Sequence, residues 1–370
     1  MLTFNNPSNV DDAGNALFEL NGATGVTTAV VNGTTYVFVA GNVDDGISVF
    51  SLAANGTLTN VFNIDDASNA ALELDGAIRL TTAVIGGVTY LFSTGNVDDG
   101  VSVFSVANNG ALTNVSNVDD ASSAALLDAA TGIAIGLSGT NRYLIVTSIA
   151  NDAVNVFAVA ANGALTFVSS TVDNGTLELD GAAAVTTAIV GGITYVFVAG
   201  SVDDGVSTFR LNVDGSLTNI AGGNVTDAGA LELDGAQTLT TAVVGGTTYL
   251  FVGGSPDEGI SVFSVAANGN LTNVFNVTDD ATLKLLGIAD LTTAVVNGTT
   301  YLYAAGSGDA GVSVFSVANN GALTNAANIA DAGSLELQGA AGVTTATINA
   351  NTYVIAAGST DDGVSVLNQA

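Results

Sequence analysis

The sequence contains neither cysteine nor histidine among its 370 residues. Without cysteine the chain has no disulfide, no thiolate nucleophile and no cysteine-type metal site. Without histidine it lacks the commonest general base and the commonest metal ligand of proteins. The chemistry that remains open to the chain therefore depends on carboxylates, hydroxyls, amides and a few basic side chains.

Basic residues are almost as scarce, because four Lys and Arg stand against 34 Asp and Glu, for a formal net charge of −30. Such a charge repels nucleic acid and anionic membranes, and it favours cations or a basic or carbohydrate partner. Hydrophobic residues make up 48% of the chain, whereas disordered acidic polymers are poor in them. The composition therefore predicts a folded protein with a large core.

Long apolar segments are also missing, since no run approaches the roughly 18–20 residues that a membrane span needs. The N-terminal segment 1–7 has neither the basic nor the apolar region of a signal peptide. Met1 is the only methionine, which suggests a start added to a domain taken from a longer protein, with a native start as the alternative. We expect a monomeric domain of a larger protein, with residues 1–370 forming one unit.

A repeat of about 52–54 residues runs through the whole chain. Seven of the eight tyrosines mark its copies at nearly constant intervals, and they are Tyr36, Tyr90, Tyr143, Tyr195, Tyr249, Tyr301 and Tyr353. Each copy contains Thr-Thr-Ala, then Thr-Tyr-Val-Phe-Val-Ala-Gly, then Asp-Asp-Gly-Val-Ser-Val-Phe-Ser-Val, then Asn-Gly-Ala-Leu-Thr, with variations. A period of this length predicts a repeat architecture.

Four short β-rich runs lie within each copy. In the second copy they are 80–85, 89–93, 101–106 and 111–115, and Gly86-Gly87 and Asn109-Gly110 form two-residue hairpin turns between them. The middle runs are apolar at most positions, as strands packed on both faces are. Seven copies of four antiparallel strands predict an all-β fold, the seven-bladed β-propeller.

The ends of the chain predict how the ring closes. The last copy stops after its third strand, and residues 2–4 resemble the start of a fourth strand such as Leu58-Thr59-Asn60. We therefore expect the N-terminal strand to complete the last blade, which removes the open sheet edges that invite aggregation.

The acidic residues should crowd one face of the ring. In a four-stranded blade with strands a to d, the a–b and c–d turns lie on one face, and the b–c turns and d-to-a crossovers lie on the other. By this assignment Asp214 is the one acid on the first face, and the other 33 of the 34 acids belong to the second. Such crowding causes self-repulsion unless cations screen it.

Calcium is the cation that these acids predict, because hard cations take six to eight oxygens from carboxylates, carbonyls and water. However, Asp-Asp-Gly is also a favourable turn sequence, and it matches no EF-hand loop. Turns on a face that attracts cations diffusely are therefore the alternative. The candidate ligands are Asp44, Asp45, Asp98, Asp99, Asp203, Asp204, Asp361 and Asp362 in the b–c turns, and Asp65, Asp66, Asp119 and Asp120 at the crossovers.

A few residues break the repeat. Arg79 and Asp290 occupy equivalent places shortly before Thr-Thr in the second and sixth copies, and both should point towards the channel mouth. Lys284 replaces the usual Glu nearby, and the third copy, which carries Arg142, lacks Thr-Thr-Ala. We interpret the third copy as drift and the Thr-Thr hydroxyls as partners of neighbouring backbone, with a channel ligand as the alternative.

The recurring strand sequences resemble the lactonase-type seven-bladed propellers, which include 6-phosphogluconolactonase-like and carboxymuconate-cyclase-like proteins. The resemblance covers the whole chain, but its motifs are structural. Those enzymes are expected to use His, Arg and Glu at the channel mouth, and this chain has no His. No catalytic residue is therefore carried over. The Asp-, Asn- and Gly-rich style also resembles repeat domains of large secreted calcium-dependent bacterial surface proteins.

The leading hypothesis from the sequence is a non-catalytic extracellular or cell-surface module with a structural, adhesive or binding role, whose acidic face attracts cations and is stabilised by calcium. The alternative is a lactonase-like hydrolase with a carboxylate-bound metal at the channel mouth, since a metal can activate water without His. A third interpretation is an acidic surface adapted to high salt. Seven similar acidic turns favour the module over the enzyme.

Overall fold

The computed structural model describes every residue except Met1, Gly14, Ala16, Ala70 and Ala370. Seven antiparallel sheets, each a blade with strands a to d in that order, form a seven-bladed β-propeller. The predicted fold class is confirmed. Strand a of each blade is in contact with strand a of the next blade, so these seven strands form the innermost ring.

The strands follow the repeat closely. Blades 1 to 3 contain β2 (Ala23–Val31), β3 (Thr34–Gly41), β4 (Gly46–Leu52), β5 (Leu58–Asp65); β6 (Ala77–Ile85), β7 (Val88–Gly95), β8 (Gly100–Val106), β9 (Leu112–Asp119); and β10 (Ala130–Ser138), β11 (Asn141–Ser148), β12 (Ala153–Val159), β13 (Leu165–Val172). Blade 4 contains β14 (Ala182–Val190), β15 (Ile193–Gly200), β16 (Gly205–Leu211), and an outer strand split into β17 (Leu217–Asn219) and β18 (Val225–Thr226) by the 3₁₀ turn Ala221–Gly223.

The remaining blades have the same plan. Blades 5 and 6 contain β19 (Ala236–Val244), β20 (Thr247–Gly254), β21 (Gly259–Val265), β22 (Leu271–Thr278), β23 (Ile288–Val296), β24 (Thr299–Gly306), β25 (Gly311–Val317) and β26 (Leu323–Ala330). Blade 7 contains β27 (Ala340–Ile348), β28 (Asn351–Gly358), β29 (Gly363–Gln369) and, as its outer strand, β1 (Phe4–Asp11).

The core lies between the blades. Strand b is buried along almost its whole length, as in β3, and strand c alternates buried aliphatic and aromatic residues with buried serine. Each hydrophobic cluster joins residues of two neighbouring blades, for example Phe38 of blade 1 with Phe104 of blade 2. The apolar middle runs therefore have the two-sided burial that the sequence predicts.

The strands are longer than the apolar runs that predicted them. In the second copy β6 begins three residues before the predicted 80–85, and β9 continues to Asp119 rather than ending at 115. Strand d carries a bulge, seen between Val103 and Phe104 of its partner strand. The second half of strand d is polar and only partly buried, so hydrophobicity did not predict that the strand continues there.

The ring closes as predicted, because β1 pairs antiparallel with β29. The predicted register was wrong by two residues. Phe4 pairs with Gln369 as Leu58 pairs with Leu52, so Phe4 and not Leu2 occupies the place of Leu58. The strand aligns from its other end, because Asn9-Val10-Asp11 occupy the places of Asn63-Ile64-Asp65, and the N-terminal segment has two more residues between Leu and Asp than 58–65 has.

The repeated tyrosines connect the blades at the face of the a–b and c–d turns, which we call the turn face. Tyr36 Oη donates a hydrogen bond of 2.8 Å to the carbonyl of Asn108 in the next blade. Tyr353 Oη donates across the closure to Ala54 at 2.7 Å. The tyrosine that reveals the repeat thus forms a hydrogen bond between neighbouring blades.

The second threonine of the Thr-Thr pair makes a similar bond near the channel. Thr28 Oγ1 donates to the carbonyl of Thr345 at 3.2 Å, and Thr82 Oγ1 donates to that of Thr28 at 3.4 Å. The structural interpretation is therefore confirmed for the second threonine, which satisfies the backbone of the preceding blade. Among the described residues, no helix is long and apolar enough to cross a membrane.

Candidate functional site

The third residue of each inner strand forms a ring around the central channel. Five of the seven members are small or uncharged, and two carry opposite charges. In blade order the members are Gly25, Arg79, Gly132, Ala184, Thr238, Asp290 and Gly342. The ring lies near the first residues of the inner strands, directly after the crossovers. It is therefore close to the face of the crossovers and b–c turns, which we call the acidic face.

Small residues let the inner strands approach one another closely at this ring. A side chain at Gly342 would meet the carbonyl oxygen of Thr24 at 2.0 Å, and one at Gly25 would meet that of Ile78 at 2.5 Å. Both contacts are closer than real Cβ atoms allow. Blades 7, 1 and 2 are therefore packed backbone to backbone at this level, and Arg79 and Asp290 supply the ring's charged groups.

Arg79 reaches across the channel from blade 2. Its Nη2 donates to the carbonyl of Ala289 in blade 6 at 2.9 Å, and its Nη1 donates to that of Ala341 in blade 7 at 3.4 Å. A guanidinium has five N–H donors in a planar fork, so further donors remain for a ligand in the channel. The side chain is half-buried, which strengthens the effect of its charge on its surroundings.

Asp290 is held by the backbone of its own strand and of blade 7. Its Oδ2 accepts a hydrogen bond from the N–H of Val343 at 2.8 Å, and its Oδ1 accepts one from the N–H of Leu291 at 3.0 Å. The side chain is half-buried, and it lines the channel cavity described below. Desolvation raises the pKa of Asp290, while the charge of Arg79 and the hydrogen bonds oppose that rise.

A cavity of about 310 Å³ lies at this level of the channel, and both Arg79 and Asp290 line it. The rest of its wall consists of backbone, threonine hydroxyls and aliphatic side chains. Arg79 also lines a smaller cavity of about 160 Å³ with Gln237 and Thr24. The arrangement offers one acid, one fixed cation and a lining of hydroxyls to a small polar molecule.

The sequence placed Arg79 and Asp290 at the channel mouth, and the structure brings them into one cavity wall. It did not identify Thr238 or the backbone of Val343 as partners of Asp290. Thr238 could have been found, because it replaces the Gly or Ala that most other copies have at this position. The Val343 N–H could not have been found, since every residue except proline has a main-chain N–H and the sequence does not show where it donates.

The first aspartate of each b–c turn bonds to its own blade. Asp98 Oδ2 accepts the N–H of Asp75 in the crossover at 2.8 Å. The same contact recurs for the other predicted ligands of this position, which are Asp44, Asp203 and Asp361. These carboxylates therefore connect each b–c turn to the crossover that leads into the same blade.

The second aspartate bonds to the following blade. Asp45 Oδ1 accepts the N–H of Gly76 at 2.9 Å, and Asp362 Oδ1 accepts that of Gly22 across the closure at 2.9 Å. Asp99 and Asp204 make the equivalent contacts. All four have φ near +55°, a backbone conformation that Asp tolerates better than most residues. The turn chemistry considered as the alternative to calcium is thus present in the structure.

Asp65 and Asp119 end the outer strands and lie beside the crossover glutamates of their blades. Burial, and then the charges of Asp119, Asp98 and Asp66, raise the pKa of Glu73 to about 7. Glu19, with Asp65 as its main charged neighbour, has a pKa of about 7 for the same reasons. In blades 4 and 5 the outer strand ends in threonine, whose hydroxyl donates to Glu178 and Glu232.

Asp66 and Asp120 begin the crossovers, and their N–H groups donate to Asp45 and Asp99 carbonyls. Burial and the charges of Asp98, Asp75, Asp45 and Asp65 raise the pKa of Asp66 to about 6. Its Oδ1 is buried without a hydrogen-bond partner. Among the described residues, no three acidic side chains are placed to hold a metal ion. The calcium prediction for the twelve aspartates stays a prediction.

No family model matches the chain, and no curated protein matches it. Solved structures do. The periplasmic gluconolactonase of Pseudomonas aeruginosa superposes with a TM-score of 0.59 at 16% identity, over 86% of this chain and 90% of that one. A "putative 6-phosphogluconolactonase" of Bacteroides uniformis gives 0.58 at 16% identity, over 80% and 82%. A Lactobacillus plantarum protein gives 0.59 at 15%, over 83% and 84%. At these identities the likeness shows the fold alone.

The comparisons correct the leading hypothesis from the sequence. The non-catalytic adhesive module is wrong as the preferred interpretation, because two of the similar structures named above, from Bacteroides uniformis and P. aeruginosa, carry lactonase names. That hypothesis rested on the seven similar acidic turns, and the structure gives those turns a role within and between blades. Membership of a large secreted repeat protein stays a prediction.

Proposed function

We propose that the chain is a lactone hydrolase whose reaction takes place in the channel cavity between Arg79 and Asp290. The observation that carries the proposal is the position of these two residues, of opposite charge, in one wall of a cavity of about 310 Å³. The likeness to named lactonases supports this class of reaction. The second sequence hypothesis, a lactonase-like enzyme, thereby becomes the preferred one.

Asp290 is the general base of the proposed reaction. It takes a proton from a water molecule as the water oxygen attacks the lactone carbonyl carbon, and it returns that proton to the ring oxygen when the C–O bond breaks. The product is the open hydroxy acid, which then loses its own proton to solvent. A carboxylate whose pKa is raised by desolvation is a stronger base than an exposed one.

Arg79 stabilises the negative charge that develops on the carbonyl oxygen. Its carbonyl partners hold the guanidinium in place before substrate binds, so little reorganisation is needed during the reaction. A metal at the mouth does not fit the residues as well, because among the described residues that line this cavity Asp290 is the one acid. The mechanism therefore contains no step through a metal.

The substrate class that the charge favours is an uncharged lactone. A substrate approaching from the acidic face passes the carboxylates of the b–c turns and crossovers, which repel a phosphorylated sugar lactone. The same field assists release of the hydroxy acid anion. An extracellular or periplasmic location remains part of the proposal, and the name of the P. aeruginosa protein supports it.

The experiment is a continuous assay of glucono-δ-lactone hydrolysis, corrected for spontaneous hydrolysis, beside the 6-phosphorylated lactone. We expect a higher kcat/KM for the uncharged lactone, and a deficit for the phosphorylated one that shrinks as NaCl is raised. Arg79→Gln should reduce kcat by at least tenfold, whereas Arg142→Gln, which removes the same charge from the turn face, should not. Hydrolysis no faster than the spontaneous rate, with both lactones, would refute the proposal.

A further inference from the structure

A ring of exposed aliphatic residues surrounds the channel at the turn face. It consists of the penultimate residue of each inner strand, and we call it the aliphatic ring. Its six apolar members are Val30, Val84, Leu137, Ile189, Val243 and Val295, of which the five other than Leu137 are 58–64% exposed and Leu137 is 41% exposed. Isolated exposed valines are normal, whereas here the same apolar exposure recurs at six equivalent positions around one opening.

The turn face around this ring is almost free of charge. Among the described residues its charged members are Arg142 beside the a–b turn of blade 3 and Arg210 and Asp214 beside the c–d turn of blade 4. The remaining turns are mostly Asn-Gly and Gly-Gly. Apart from Asp290 in the channel, the other acids belong to the acidic face.

We propose that the aliphatic ring is the contact surface for a second copy of this chain, docked turn face to turn face. Two molecules with a net charge of −30 repel each other wherever their acidic faces meet. The turn face carries charges of both signs and no excess of acid, so it is where two copies approach with least repulsion. A face-to-face pair places ring against ring, which is the self-complementary contact of a twofold dimer.

This inference does not depend on the proposed enzyme activity, and it departs from the monomer expected from the sequence. Pairing of the rings covers the channel opening at the turn face of both copies. The mouth at the acidic face then remains the route to the cavity lined by Arg79 and Asp290. The acidic faces point outward in such a pair, as far apart as the two molecules allow.

Sedimentation velocity of the full chain between about 1 and 200 μM, in 0.15 and 0.5 M NaCl, tests the inference. We expect a reversible monomer–dimer equilibrium that strengthens in the higher salt, because screening reduces repulsion while apolar contact persists. The triple variant Val30→Thr, Val84→Thr and Val243→Thr should weaken association at least tenfold. Threonine fits at this position, since Thr347 occupies it, exposed, in blade 7.

The matched control makes the same three changes on the acidic face. Val43, Val97 and Val202 in the b–c turns are 60%, 61% and 62% exposed, so Val43→Thr, Val97→Thr and Val202→Thr remove equivalent apolar surface. This control should dimerise as the wild type does, and circular dichroism should show both variants folded. A wild type that stays monomeric at 200 μM in both salts overturns the inference. The inference is also overturned if the control variant weakens association as much as the ring variant does. It is overturned too if the ring binds lipid vesicles while the chain stays monomeric.

Discussion

Arg79 and Asp290, from blades 2 and 6, are bound to the same inner strand, β27 of blade 7. Arg79 donates to the carbonyl of Ala341 at 3.4 Å, and Asp290 accepts the N–H of Val343 at 2.8 Å. One strand thus sets the positions of both charged groups relative to each other. Because β27 belongs to the blade that β1 completes, the geometry of the site depends on ring closure.

Asp290→Asn tests the proposed general base. We expect kcat for lactone hydrolysis to fall by about 10²-fold or more, because an amide cannot accept the proton of the attacking water. The Asn side chain is nearly the same size and its carbonyl can still accept the Val343 N–H, but its NH2 group cannot accept the Leu291 N–H, so we expect a folded variant with a modestly lower melting temperature. Asp214→Asn, on the turn face, is the matched control and should keep full activity. A fully active Asp290→Asn enzyme would rule out Asp290 as the base.

The crossover glutamates make the fold less stable as pH rises. Glu19, Glu73 and Glu336 have pKa values of about 7, above the ordinary 4.5. Between these two values the folded chain binds more protons than the unfolded chain, so its free energy of unfolding decreases with pH. We expect the melting temperature, measured in metal-free buffer, to be highest near pH 4.5–5 and to fall towards pH 7.5. A melting temperature that rises across this range would contradict the assignment.

Asp119→Thr isolates one of these glutamates. In blades 4 and 5 a threonine at this place donates a hydrogen bond to the glutamate, at 2.8 Å for Thr226 and 2.7 Å for Thr278. The substitution should therefore lower the pKa of Glu73 and raise the melting temperature at pH 7.5 relative to pH 5. Asp120→Thr, one residue further along, is the control, because it leaves Asp119 beside Glu73. Equal effects of the two variants would show general charge removal rather than this pairing.

The second aspartate of the b–c turn should stabilise the ring through its hydrogen bond to the next blade. Asp99 Oδ1 accepts the Ala129 N–H at 2.8 Å, and Asp99 has φ 56°. We expect Asp99→Ala to reduce the free energy of unfolding by about 1 kcal/mol relative to Asp99→Asn, since Asn keeps the acceptor. The backbone tolerates Ala, because Ala310 has φ 50° at the equivalent place. Denaturant unfolding in 0.3 M NaCl measures the difference. Equal free energies of unfolding for the two variants would show that this hydrogen bond does not stabilise the ring.

Calcium remains the predicted cation of the acidic face. Asp66 has a buried oxygen without a hydrogen-bond partner and a pKa raised to about 6 by burial and by Asp98, Asp75, Asp45 and Asp65. We expect millimolar calcium to raise the melting temperature of metal-stripped protein more than magnesium does, and more than NaCl of matched ionic strength. An equal response to all three salts would mean that the carboxylates are only screened, and would contradict the prediction of discrete calcium sites.

The sequence was most informative where a pattern repeats and least where a contact is made by backbone. Tyr36 and its equivalents predicted seven blades, and the last copy predicted closure by the N-terminal strand, both correctly. The register of that strand was missed by two residues because Leu2-Thr3 was matched to Leu58-Thr59, whereas the pairing follows the Asn-x-Asp end of the strand. The acids of the b–c turns were placed on the right face, but their partners, such as the N–H of Gly76, are main-chain groups that no side-chain pattern reveals.

The sequence by itself determined the blade count, the strand order and the face on which the charge lies. These follow from short apolar β-rich runs, turn residues and a period of 52–54 residues, which are local properties of the chain. Only the tertiary structure decided that Arg79 and Asp290, 211 positions apart, line one cavity, and that the penultimate residues of the inner strands form a ring. Both depend on closing seven blades around an axis, which brings equivalent positions together whatever their distance along the chain.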